Sequence, residues 1–225
     1  MPAGFQSIND SGTVQIDENY STLTLIAAPT ITINGAGPGS AYPGTMWASY
    51  TVNSPNPQLF IGNTSGVYVA VVSRTNPSAG VWTYTFAAGA AVSVRLFIYS
   101  QAVMTAGNCG MQVFNSGGGL VFDSSAPFLR MSAVYQIGGA AGSSSFGIPQ
   151  DGRAYAAALS YSRCSITGPG AGYYYWMAEW INVSGTTITT STQGPIYRFP
   201  ANNPYAYPPL ANAPPQVLMV DVTYI

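Results

Sequence analysis

The chain has no lysine and no histidine. Its only cationic side chains are Arg74, Arg95, Arg130, Arg153, Arg163 and Arg198, and charged residues make up 6% of 225 positions against roughly a quarter in an ordinary soluble domain. Without histidine, a serine or cysteine nucleophile lacks the base that normally takes its proton, so triad catalysis in its ordinary form is excluded. Without lysine, a phosphate-cradling P-loop cannot be completed. A net charge of −1 with no basic run leaves no electrostatic footprint for nucleic acid. The two cysteines, Cys109 and Cys164, stand far apart with no Cys-x-x-Cys pairing, so we expect free thiols, no metal and no cofactor. The most apolar stretch, 86–98, is broken by Ser93 and Arg95 and is too short to insert in a membrane. The opening MPAGFQSIND has neither the basic nor the apolar region of a secretion signal, which leads to an expectation of synthesis in a cytosol without classical export. Low charge also weakens the repulsion that keeps proteins apart, and it predicts a permanent neighbour or an oligomer.

What the chain does have is strand-forming material. With 47% hydrophobic and 13% aromatic residues it can repay chain ordering. Helical periodicity is scarce, whereas Thr22 to Ile26, Trp47 to Val52, Gly66 to Ser73, Val81 to Phe86 and Val92 to Tyr99 are rich in Val, Ile, Thr, Tyr and Phe and are bounded by Gly, Pro and Asn. A pattern recurs at long range. Residues 4–25 slide without a gap onto 110–131, matching Gly4 with Gly110, Gln6 with Gln112, Asn9 with Asn115, Gly12 with Gly118, Asp17 with Asp123 and Leu23 with Leu129. The same shift pairs Gly66-Val67-Tyr68-Val69 with Gly172-Tyr173-Tyr174-Tyr175. A repeat near half the chain length signals a duplicated module. The expected fold is all-β, with two tandem antiparallel β-sandwich domains, 1–105 and 106–225, related by internal duplication. Each half closes with an apolar strand, Val92 to Tyr99 and Val217 to Ile225.

The repeated stretch reads as a hairpin. Gly4 to Ile8 is one strand, Asn9 to Gly12 the turn and Thr13 to Asp17 the return; in the second copy the turn is Asn115 to Gly118 and the return Gly119 to Asp123. Asn suits the first turn position because its side chain accepts a backbone hydrogen bond, and Gly tolerates a positive φ at the last. Asn9, Gly12, Asn115 and Gly118 are therefore assigned to turns, not to chemistry.

Loops carry function on β scaffolds, and the most distinctive ones lie in the second half: Gly138 to Gly147, Gly168 to Gly172 and Pro200 to Pro215. Paired carboxylates for glycoside cleavage remain arithmetically available, and Glu179 stands out because strand alternation puts it on one face with Tyr173, Tyr175 and Met177. It can equally pair with an arginine. Flat Tyr and Trp rings also stack on sugar faces while polar groups read the hydroxyls, which nominates Tyr173, Tyr175, Trp176, Trp180, Tyr205, Tyr207, Arg153 and Arg198 for a glycan or receptor. Alternate members of 173–180 can instead be core, and Pro-Tyr-Ala-Tyr-Pro-Pro can instead be an arm packed on a neighbouring subunit. The sequons at Asn19, Asn63 and Asn182 are discounted for lack of a secretion signal.

Gly110-Met111-Gln112-Val113-Phe114-Asn115, followed by Gly118, Phe122-Asp123-Ser124 and Leu129-Arg130, resembles a motif that opens small β-rich virion proteins encoded beside the distal tail genes of tailed bacteriophages and prophages. The first copy departs from it, with Ile16-Asp17-Glu18 in place of Phe-Asp-Ser and Thr24 in place of Arg. The resemblance implies a tail, baseplate or fibre component of the virion, and no enzymatic activity follows from it; the absent secretion signal fits assembly in the host cytoplasm. It implies contacts with other tail proteins, a homo-oligomer with a trimer favoured, and a place near the host-binding end, where a host-surface glycan is a possible ligand. A glycan-binding or glycan-degrading tail protein acting on host envelope polysaccharide and a capsid-decorating virion protein are the alternatives.

Overall fold

The computed structural model describes residues 6–8, 14–17, 22–39, 41–101, 110–138, 142–162, 164–170, 173–200, 215–223 and 225. In the first half run β1 (Gln6–Ile8), β2 (Val14–Asp17), β3 (Thr24–Ala27), β4 (Thr30–Ile33), β5 (Gly35–Ala36), β6 (Met46–Asn53), β7 (Gln58–Ile61), β8 (Val69–Ser78), β9 (Val81–Ala88) and β10 (Val92–Ser100). In the second run β11 (Gln112–Phe114), β12 (Leu120–Asp123), β13 (Met131–Gln136), β14 (Ser143–Gly147), β15 (Tyr155–Leu159), β16 (Cys164–Gly170), β17 (Tyr173–Val183), β18 (Thr187–Pro200) and β19 (Gln216–Asp221). Every pairing between them is antiparallel, and among the described residues there is no helix.

Two large sheets face each other. Sheet I has the order β13-β19-β15-β7-β10-β3, with β4 also on β10; sheet II has the order β14-β18-β17-β8-β9-β6-β5, with β16 also on β17. Both sheets run through the boundary between the halves, joined at Ile61 opposite Ala157 in sheet I and at Val69 opposite Ile181 in sheet II. Counted outward from this seam, the first half places β7, β10 and β3 in sheet I and β8, β9 and β6 in sheet II, while the second places β15, β19 and β13, then β17, β18 and β14. The halves thread the same positions in the same chain order. The proposed boundary near 105 lies outside the described residues.

Alternation explains the shared core. On β10, Val92, Val94, Leu96 and Ile98 point between the sheets while Ser93 and Arg95 face out, and β9 sends Tyr84 and Phe86 into the same layer. The layer draws Ile61 and Val69 from one half and Ala157, Ile181 and Met219 from the other, so one core stabilises both. Each such Ile or Leu contributes roughly 1.5–3 kcal/mol by leaving water. Beyond Leu96 the alternation stops, because Phe97 and Tyr99 are also buried, against Phe60, Ala156 and Val220 on the far side of sheet I. That side is covered where the edges of the sheet meet: Leu129 N donates to Leu23 O (2.7 Å) and Leu25 N to Pro127 O (2.8 Å), while Asp221 N donates to Arg130 O (3.0 Å). The matched residues Leu23 and Leu129 thus bond to one another.

Both copies of the repeated stretch form hairpins with the same register. Gln6 faces Asp17, Ser7 faces Ile16 and Ile8 faces Val14; Gln112 faces Asp123, Val113 faces Phe122 and Phe114 faces Leu120, with an irregularity at the same step. In the second, the Asn115 side-chain oxygen accepts from Gly117 N (3.0 Å) and Gly119 N (2.8 Å), Gly118 N donates to Asn115 O (2.9 Å), and Gly118 sits at φ +78°. Gln112 Nε2 donates to Asp123 Oδ2 (3.0 Å), and Asp123 Oδ1 accepts from Ser125 N (2.8 Å). Asn9 and Gly12 lie outside the described residues.

Two expectations are corrected. The last strand ends at Asp221 and does not reach Ile225, because Asp221 Oδ1 accepts from Thr223 N (3.0 Å) and turns the chain. Part of the Gly- and Ser-rich segment after 138 is not loop but β14, paired along its length with β18. On β17, the pairing with β18 shifts register at Trp176/Met177 and at Ala178/Trp180. Glu179 is fully buried and Trp180 packs with Ala178.

Candidate functional site

Sheet II is also drawn in at one end. Ala41 bridges Tyr197 on β18 and Tyr42 N donates to Ile196 O (2.8 Å), so the loop after β5 is pinned to the opposite edge of the sheet. The sequence Tyr42-Pro43-Gly44-Thr45 makes a tight turn: Thr45 N returns to Tyr42 O (3.2 Å), with Pro second and Gly44 third at φ +88°. That is the residue order of a type II turn, in which Gly bears the positive φ. The Thr45 hydroxyl donates to Tyr42 O (2.7 Å) and accepts from the Trp47 indole (2.9 Å). Gly37 is held beneath, where an added Cβ would stand 2.2 Å from Trp47 Nε1.

This turn forms one wall of a cavity of about 390 Å³. The opposite wall is Trp180 on β17 with Ser191 and Pro195 on β18, and Tyr68 and Gly89 complete it. The Tyr42 ring is braced edge-on by Tyr175, their centroids 5.9 Å apart. Behind the wall, Tyr197 sits between Trp47 (5.3 Å) and Trp176 (5.6 Å), and burial raises its phenol above the ordinary tyrosine range. Among the described residues no Asp, Glu or Arg lines the cavity. Its offer to a ligand is flat aromatic surface, two prolines, and the Thr45 and Ser191 side chains.

The structure unites some of the nominated residues and separates others. Trp180 lines the cavity while 3% exposed, as wall and not as a surface platform. Tyr175 and Trp176 support it from behind through Tyr42 and Tyr197. Arg198 lies over the Tyr173 ring at 5.0 Å on the same pair of strands. Arg153 is elsewhere, beside sheet I, ion-paired to Asp221 (3.2 Å) and Asp151 (3.7 Å). At Asp221 burial raises the carboxyl pKa, but the Thr223 hydroxyl and amide and Arg153 outweigh it and hold the group below its usual range. Tyr205 and Tyr207 lie outside the described residues. Tyr42 and Tyr68 were missed. An aromatic followed by Pro-Gly in a first-half loop was the available signal for Tyr42, while Tyr68 reaches the cavity only through the pairing of distant strands.

Among the described residues no group of three or more Cys, Asp or Glu side chains comes together to hold a metal. Asn63 and Asn182, from two of the sequons, are in structural use: Asn63 Oδ1 accepts from Ser65 N (2.7 Å) and Asn182 Oδ1 from the Thr64 hydroxyl (2.7 Å). No protein-family model matches this chain, and no curated protein or solved structure matches it.

Proposed function

We propose that this chain is a structural, non-catalytic protein of a phage-type tail, and that its aromatic cavity takes a neutral sugar unit of a host-surface glycan. One observation carries the sugar reading: a cavity of about 390 Å³, with no charged side chain on it among the described residues, whose walls include Tyr42, Tyr68 and Trp180 and whose lining includes Thr45 and Ser191. Apolar ring faces match the C–H faces of a pyranose, and hydroxyl side chains match its O–H groups. The turn at 42–45 is fixed by four hydrogen bonds, so little ordering entropy opposes binding. The tail assignment rests on the resemblance of 110–131 to distal tail proteins, and it fits a chain with 6% charged residues. The common threading of the two halves supports the duplication reading. Burial of Glu179 away from solvent favours binding over cleavage.

Calorimetric titration with oligosaccharides from bacterial lipopolysaccharide and capsule tests the sugar reading. At least one neutral oligosaccharide should bind saturably, and Tyr42→Ala should weaken it about tenfold or more, the cost of losing one stacking ring and its ordered turn. Equal affinity in Tyr42→Ala would move the site elsewhere.

A further inference from the structure

Where the halves meet, the two sheets hold together at single points, Ile61 with Ala157 and Val69 with Ile181. Past these points the edges separate. On β8 a register shift between Val71 and Ser73 turns the strand, and β16 takes its place beside β17, with Cys164 opposite Ala178. Sheet I leaves room too, since β15 presents Ala156, Ala157 and Ala158 where β7 presents Leu59, Phe60 and Ile61. The separation opens a second cavity of about 270 Å³. Its floor includes Leu59, Ile61, Val71, Leu159 and Ile181, drawn from both halves and both sheets. Ser73, Arg74, Ser160 and Ser162 are polar residues on the same lining.

Among the described residues Arg74 is the charged one on this lining, and it makes no ion pair with any of them. Its guanidinium carbon lies 4.0 Å over the Trp82 ring. Stacking holds the plane of the guanidinium and leaves its in-plane N–H groups available, the geometry in which arginine takes a carboxylate by two parallel hydrogen bonds. The Tyr84 hydroxyl donates to Pro57 O at 2.7 Å and its oxygen takes one hydrogen bond from Arg74, which helps to orient the guanidinium and leaves its other N–H groups to a ligand. An apolar floor asks for an apolar body, and an arginine with no ion pair among the described residues asks for an anion.

We propose that the seam between the halves is a binding site for a small carboxylate with an apolar body, which rests its chain on Ile61, Leu159 and Ile181 and its carboxylate on Arg74. The site differs from the aromatic cavity in residues and in charge, and it does not depend on the sugar reading. Its ligand would bind both halves at once and so stabilise their junction.

Calorimetry on the full chain with octanoate, octan-1-ol and acetate tests this. Octanoate should bind one to one and acetate should not, because the floor supplies most of the affinity. Arg74→Gln, an exposed position, should weaken octanoate about tenfold or more while leaving octan-1-ol unchanged. Leu159→Trp should fill the floor and abolish both, and Tyr42→Ala should change neither. Absence of saturable octanoate binding to the wild-type chain, or unchanged octanoate affinity in Arg74→Gln, would overturn the proposal.

Discussion

Tyr99 shows how a single side chain can be held at a cost. It is fully buried on β10 against Phe60, with ring centroids 5.8 Å apart, yet its hydroxyl has no hydrogen-bond partner among the described residues. Burial, and then the nearby Asp221 carboxylate, push its pKa up to about 12 against 10.0 for a free phenol. Below pH 10 folded and unfolded chains both keep the proton, so stability is unaffected; between 10 and 12 the unfolded chain ionises first, and stability falls as pH rises. Chemical denaturation at pH 8 and at pH 11 should therefore show a lower midpoint at pH 11. Tyr99→Phe removes the unsatisfied hydroxyl and should raise unfolding free energy at pH 8 by about 1 kcal/mol while shrinking the alkaline loss. A clear destabilisation by Tyr99→Phe would mean the hydroxyl has a partner. Nothing in the sequence marks this residue, since a tyrosine in an apolar run reads as an ordinary core position.

Among the elements, the hairpins were the most legible and β17 the least. Hairpin chemistry is local: Asn115 and Gly118 act within five residues of one another, so turn propensity alone predicts their work. Replacing Gly118, at φ +78°, by Ala should cost about 1 kcal/mol, and Asn115→Ala should cost a similar amount by removing two acceptor contacts. Amide exchange is the appropriate measurement, with protection expected to fall in β11 and β12 and to hold in β9 and β10; uniform loss would mean the hairpin supports the core. At 173–180 the aromatic run left open which members would be buried: Glu179 and Trp180 are, because β17 lies inside sheet II between β8 and β18, a placement that alternation along one strand does not give.

For the whole molecule, the repeat pointed to two similar halves, and the same threading order appears in each. How the halves associate was not legible. Joining edge to edge depends on Ala157 meeting Ile61 and Ile181 meeting Val69, contacts that have no signature in either half alone. Thr64 reinforces the joint, because its amide donates to Val183 O (2.8 Å) and its hydroxyl to Asn182 Oδ1 (2.7 Å). With one shared core, thermal unfolding should be a single transition in which the calorimetric and van't Hoff enthalpies agree. Two resolved transitions would show that the halves are held mainly by their own packing.

The central claim is that the cavity between the 42–45 turn and Trp180 receives a sugar. Titrating isotope-labelled protein with the best-binding neutral oligosaccharide, and following the amide and indole signals, tests it most directly. The account predicts saturable shifts confined to Tyr42, Thr45, Tyr68, Gly89, Ser191 and the Trp180 indole, with the seam around Arg74 and Leu159 unmoved. Shifts that leave those cavity signals in place and gather elsewhere on the molecule would contradict it.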